Sequence, residues 1–255
     1  MKEIPAMIIY DSVDSEERPI RVYASDRADQ SISFKDEGMR NELIFEYMKK
    51  FNLAFDVKPF VRDVLLFGGG AFSYPKHVIS HYPDARMDVV DPDEMAYETA
   101  RKFFFVDELE KDYDLAETHR LNPVTDFAQE YLKKTDKQYD IIINDAFDDL
   151  EIVYELFTAD SLCLIRSHLK KSGIYVANVP GLRSIKNSEY LLDAVSTVKS
   201  VFSQVKIVKA FHYSHARTGN YVLFASDEPY EYPGEIKDVP DGSMIIGEDD
   251  LDLLR

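Results

Sequence analysis

The sequence predicts an α/β fold in which a mostly parallel sheet is covered by helices on both faces and preceded by a small β region. Three observations carry that expectation. Short apolar runs at 64–67 and 140–144 end in Gly68-Gly69-Gly70 and in Asp145-Ala146-Phe147-Asp148, as buried strands meeting ligand-facing loops do. Between such runs the apolar spacing turns helical, which is the alternation of a parallel sheet. The first thirty-odd residues instead alternate charged and apolar positions, with Pro5 and Pro19 near turns, and predict a β-hairpin region.

In chain order, Leu43, Ile44, Tyr47, Met48 and Phe51 fall at helical spacing and predict a helix over 41–55. Strand and helix then alternate: a strand at 64–67, a helix at 75–81, a strand at 86–90 and a helix at 93–105. The acid-rich stretch 106–117 is expected to be a solvated connector. A polar strand near Arg120 leads to a helix at 125–134, the strand 140–144, a helix at 158–171 and a strand at 174–178. A helix at 187–202 and two closing strands near 205–211 and 221–225 complete the expected order. The organisation is therefore a small β region at 1–40, a main domain at 41–226 and an acidic extension at 227–255, expected to pack loosely.

At 255 residues and 45% hydrophobic content the chain can bury a large core. Its net charge of -17 opposes docking on phosphate backbones and excludes nucleic acid as a partner, while it favours small cations such as polyamines. Cys163 is the only cysteine, so no intrachain disulfide or CxxC site exists, and it is expected to pack in a helix. No signal-peptide pattern and no apolar run near the roughly 18 residues of a membrane span is present, so the expected location is cytoplasmic, away from membranes. No metal is expected: His212 and His215 read as a polar loop rather than zinc ligands.

The chemistry concentrates at the strand ends. Gly68, Gly69 and Gly70 let backbone approach a ligand closely, but Ala71-Phe72-Ser73 follows, so the dinucleotide pattern G-x-G-x-x-G is missing its last glycine. Asp91 ends the next strand, where an acid accepts from ribose hydroxyls; Asp91-Pro92-Asp93-Glu94 equally suits a helix start, and one carboxylate can do both. Asp126 either accepts from an adenine amino group or caps the following helix. Asp145 and Asp148 lie at the mouth of a strand. An alkyl ammonium has a pKa near roughly 10.4 and no free lone pair, so a carboxylate must hold the cation and take its proton before the nitrogen attacks carbon.

Together these residues resemble the spermidine synthase family of polyamine aminopropyltransferases, over residues 21–225. The motifs are Gly68-Gly69-Gly70, Asp91-Pro92-Asp93-Glu94 through Ala100-Arg101-Lys102-Phe103, and 139–148, extended by Leu156-Phe157-Thr158 and by Gln30, which matches the glutamine after the family's N-terminal hairpin. The resemblance implies a Rossmann-like class I methyltransferase fold, with decarboxylated S-adenosylmethionine or S-adenosylmethionine as co-substrate, a small cationic amine as acceptor, and a homodimer. It assigns Asp91 to the ribose, Asp126 to the adenine, Asp145 with Asp148 to the amine, and places Gln30 and the glycine triplet in the nucleoside site. The chain departs from the family at Ala71, where an acid normally faces the aminopropyl chain, and at Phe45-Glu46-Tyr47-Met48, which replaces a Tyr-His-Glu-Met-like stretch. Losing the acid at 71 removes a repulsion against a carboxylate-bearing donor, so a methyltransferase is the alternative function and a non-catalytic nucleoside-binding scaffold a third.

Overall fold

The computed structural model describes residues 7–25, 29–148, 151–211 and 216–254, with only the backbone described at 148, 151, 253 and 254. Strands β1 (Ile8–Val13), β2 (Pro19–Ala24) and β3 (Asp29–Phe34) form an antiparallel three-stranded sheet. Helices α1 (Glu46–Phe51) and α2 (Leu53–Val57) lead to β4 (Asp63–Phe67), α3 (Ser73–His81), β5 (Arg86–Asp91) and α4 (Ala96–Phe103). Next come α5 (Val106–Asp112), α6 (Leu115–Thr118), β6 (Leu121–Thr125), α7 (Ala128–Lys134) and β7 (Tyr139–Asn144). A short hairpin of β8 (Phe147–Asp148) and β9 (Glu151–Ile152) precedes α8 (Ala159–Ser167), β10 (Leu169–Leu182), α9 (Glu189–Val201), β11 (Gln204–Ala210), β12 (Thr218–Ser226) and α10 (Leu251–Leu254).

The main sheet has seven strands in the order β11-β12-β10-β7-β4-β5-β6, parallel from β10 through β6, with β12 antiparallel to both its neighbours. Strand β4 is buried on both sides because its side chains alternate between two cores. Val64 and Leu66 join Ile141, Ile143 and Met87 under α1 and α3, where Phe51, Val78 and Ile79 close the layer. Leu65 and Phe67 join Ile142 and Val90 under α8 and α9, against Leu162, Ile165, Leu191 and Val198. Each such side chain contributes about 1.5–3 kcal/mol of burial, so the continuous apolar runs at β4 and β7 are the backbone of stability. The N-terminal sheet is fastened to α3 by Lys76, whose buried ammonium donates to Ser33 Oγ at 2.9 Å and to the Arg40 carbonyl at 2.9 Å. Burial pushes its pKa down to about 7.

The small N-terminal β-hairpin region is present and carries a third antiparallel strand. Other expectations are corrected. The helix expected over 41–55 is broken into α1 and α2 at Asn52. The stretch 106–117 is helical, because Val106, Leu109 and Leu115 bury one face beneath its acids. Helix α4 begins after Met95, so Asp91 is not its N-cap. Lys170 and Lys171 belong to the fourteen-residue β10, not to the preceding helix. Cys163 lies on α8 but is exposed. The tail is not loose: Asp193 of α9 accepts from Ser243 N at 2.6 Å and Met244 N at 3.0 Å, and Ile246 is fully buried. Among the described residues no helix is long and apolar enough to cross a membrane.

Candidate active site

Parallel strands point their carboxyl ends one way, so Gly68, Asp91, Asp126 and Asp145, each at or just past the end of its strand, share one edge of the sheet. The chain runs outward from β4 to β5 and β6, then crosses to β7 on the other side of β4. That reversal opens a crevice above β4, where α/β sheets bind ligands. The loop beneath it is conformationally special. Gly68 has φ +87° and Gly70 φ +49°. A Cβ on Gly68 would stand 2.4 Å from the Asp145 carbonyl oxygen, so only glycine lets the two loops meet. Phe72 is also left-handed at φ 59°, a conformation costly for an aromatic residue, and its ring lies over Gly69.

Asp145 stands at the centre of this edge. The residue as a whole is partly exposed, but its carboxyl turns inward to two donors. Asn178 Nδ2 on β10 donates to Oδ1 at 2.8 Å, and the Tyr47 hydroxyl on α1 donates as well. Asn178 is itself oriented, since its Oδ1 accepts from Asn220 Nδ2 at 2.8 Å. Burial raises the Asp145 pKa to about 7, against the two hydrogen bonds that lower it. An acid poised there exchanges protons readily near neutral pH. Tyr47 is held by ring packing on Phe45 and Phe51.

Asp91 ties the loop together. Its Oδ2 accepts from Gly69 N at 2.7 Å and Gly70 N at 3.4 Å, and its Oδ1 from Asp93 N at 2.9 Å. A carboxylate has about four lone-pair sites, so capacity for ribose hydroxyls remains. Asp126 is differently engaged: Lys134 Nζ lies 2.7 Å from Oδ2, and Phe127 N donates to Oδ1 at 2.9 Å. Gln30 lies on β3, next to Ser31, whose Oγ would be 3.6 Å from a Cβ on Gly70, so this strand borders the glycine loop. The side chain of Asp148 lies outside the described residues, as do His212 and His215. Ala71 is wholly buried.

Two contributions were missed in the sequence. Tyr47 and Asn178 reach Asp145 from elements remote in the chain. His77 and His81 stand four residues apart on α3, a helical pair overlooked beside His212 and His215, and Glu42 comes within reach of both.

A sequence model of the spermine/spermidine synthase domain matches residues 41–226. The chain is 28% identical to a polyamine aminopropyltransferase from Vibrio vulnificus over 155 residues, covering 60% of this chain and 46% of that protein. It spans about half the length of the curated relatives it matches. A crystal structure of a probable spermidine synthase from Corynebacterium glutamicum superposes with TM-score 0.69 at 22% identity, covering 87% of this chain and 77% of that one. Human methyltransferase-like protein 13 in complex with SAH superposes with TM-score 0.58 at 18% identity, over 74% of this chain and 86% of that one. The fold is thus the Rossmann-like one of class I methyltransferases.

Proposed function

The chain belongs to the spermine/spermidine synthase family, and from that premise we propose that it is a polyamine aminopropyltransferase. Decarboxylated S-adenosylmethionine is the donor and a small amine such as putrescine the acceptor. The observation that carries this reading is Asp145, a carboxyl raised to about 7 at the switch-point crevice and oriented by Asn178 and Tyr47. In the proposed reaction the amine nitrogen forms a bond to the aminopropyl carbon on sulfur. The carbon–sulfur bond breaks with its electron pair left on sulfur, releasing neutral methylthioadenosine, and the amine proton passes to Asp145. Asp91 receives the ribose, with Gln30 and the Gly68-Gly69-Gly70 loop around the nucleoside, and Asp148 is proposed as a second acid for the amine. Asp126, held by Lys134, supports the loop after β6 more than it meets the adenine. Placing the two reactants in line supplies most of the rate, and the acid supplies the proton transfer.

The absence of an acid at Ala71 favours methyl transfer as a second reading. Chromatography of products separates the two. Methylthioadenosine formed from the decarboxylated donor and a diamine supports the first; S-adenosylhomocysteine formed from the ordinary donor, with no methylthioadenosine from any diamine, overturns it.

A further inference from the structure

Away from the crevice, toward the far end of α3, two imidazoles and a carboxylate meet. His77 and His81 are one turn apart, and their rings lie 4.0 Å between centroids. Each has its Nδ1 against a main-chain carbonyl: His77 Nδ1 is 3.2 Å from the Asn41 oxygen, and His81 Nδ1 is 3.0 Å from the His77 oxygen. A carbonyl only accepts, so both Nδ1 atoms donate and the Nε2 atoms, turned to Asn52 and to Glu42, are the ligand nitrogens; an ion displaces the proton that His81 Nε2 shares with Glu42. A backbone carbonyl holding the other ring nitrogen is the usual support behind a metal-binding histidine. Glu42 Oε1 lies 3.2 Å from His81 Nε2, close to the ~3.3 Å edge of a tetrahedron built with bonds of about 2.0–2.1 Å. One donor atom from each of the three residues lies within 4.8 Å of the others.

We infer that Glu42, His77 and His81 form a binding site for a divalent first-row transition ion such as Zn²⁺ or Co²⁺. Two imidazoles with one carboxylate suit such ions and leave a position for water. The Asn52 amide, whose Nδ2 is 2.9 Å from His77 Nε2, is the group the ion displaces. The site clasps two segments that border the crevice. Glu42 precedes α1, which carries Tyr47 to Asp145, and α3 follows directly from the glycine loop. An ion there fixes the distance between the acid's hydroxyl donor and the nucleoside loop, independently of which group the enzyme transfers.

The test uses the tag-free full chain titrated calorimetrically with Zn²⁺, with visible absorption of bound Co²⁺ as a second readout. One equivalent is expected, with affinity falling at least about tenfold in both His81→Ala and Glu42→Gln. Both side chains are substantially exposed, so these variants are expected to fold. A His212→Ala/His215→Ala control is expected to bind like the parent chain. Absence of stoichiometric binding, binding that survives both single substitutions, or binding lost only in the His212/His215 control would each overturn the site and leave His81 and Glu42 as an ion pair only.

Discussion

The two ends of the central sheet both carry buried or half-buried acids, yet they treat them oppositely. At the amino ends of the strands every acid of this kind meets a cation among the described residues. Asp140 accepts from Lys170 Nζ at 2.7 Å and from the Arg62 and Asp63 amides, with Lys58 Nζ 3.6 Å away. Asp63 shares the same Lys170, and Asp88, partway along β5, meets Lys137 at 2.9 Å and the hydroxyls of Tyr131 and Tyr139. Burial opposes ionisation at Asp88 and Asp140, but these partners win and their pKa values fall below the ordinary carboxylate range. At the carboxyl ends Asp145 has only neutral donors among the described residues, and there burial wins. The lesson is that an acid paired with a cation is spent on structure, whereas one kept without a cation is available to a cationic substrate. Asp126 is the exception at the carboxyl edge, paired like a structural acid.

Substitutions break this contrast in order of size. Asp145→Asn keeps the shape but removes the proposed proton acceptor, so turnover at saturating substrates is expected to fall roughly a hundred- to ten-thousandfold. Steady-state assay of methylthioadenosine checks it, and a variant retaining most of its turnover would refute the role. At the other end, Asp140→Asn removes the carboxylate from Lys58 and Lys170, leaving them Ser172 and Asp63, and is expected to cost about 1.5–3 kcal/mol in urea unfolding while leaving turnover per folded molecule near that of the parent chain. A stable but inactive Asp140→Asn would erase the distinction between the ends.

Asp91→Ala sits between the two. It removes the acceptor proposed for the nucleoside and also frees the Gly69 and Gly70 amides, so donor affinity is expected to drop by about 1.5–3 kcal/mol, ten- to a hundredfold by calorimetry. Unchanged affinity in a folded variant would reduce Asp91 to a loop tie. The smallest effect is expected at Asp126→Asn, where the Lys134 pair is a surface one: donor affinity should change less than about threefold. A tenfold loss there would restore its role at the adenine.

What was legible in the sequence follows from the range of the forces involved. β4 and β7 were readable because both faces are buried, giving unbroken apolar runs, and because glycine and aspartate mark their ends. The same strand-end logic placed Asp91 and Asp145 at the carboxyl edge, where they stand. Helices α5 and α6 were not, since Asp107, Glu108, Glu110 and Lys111 hide the Val106, Leu109 and Leu115 stripe. The order of the tail was hidden too, because one side chain, Asp193, catches it fifty residues away. The perturbation of Asp145 comes from burial, which the hydrogen bonds from Tyr47 and Asn178 offset only in part, and the tertiary fold alone brings that environment together.

The central claim, that the Asp145 carboxyl is buried without a cation among the described residues, is tested most directly by urea unfolding of the parent chain and Asp145→Asn from pH 4 to pH 8. The folded carboxyl, with its pKa near 7 against 3.8 unfolded, holds a proton that the unfolded chain releases. Stability of the parent chain is therefore expected to fall, relative to the variant, as pH rises through this window, by a few kcal/mol in total, and to level off above it. A difference between the two chains that stays constant across the range, or that moves in the parent chain's favour as pH rises, would contradict the account.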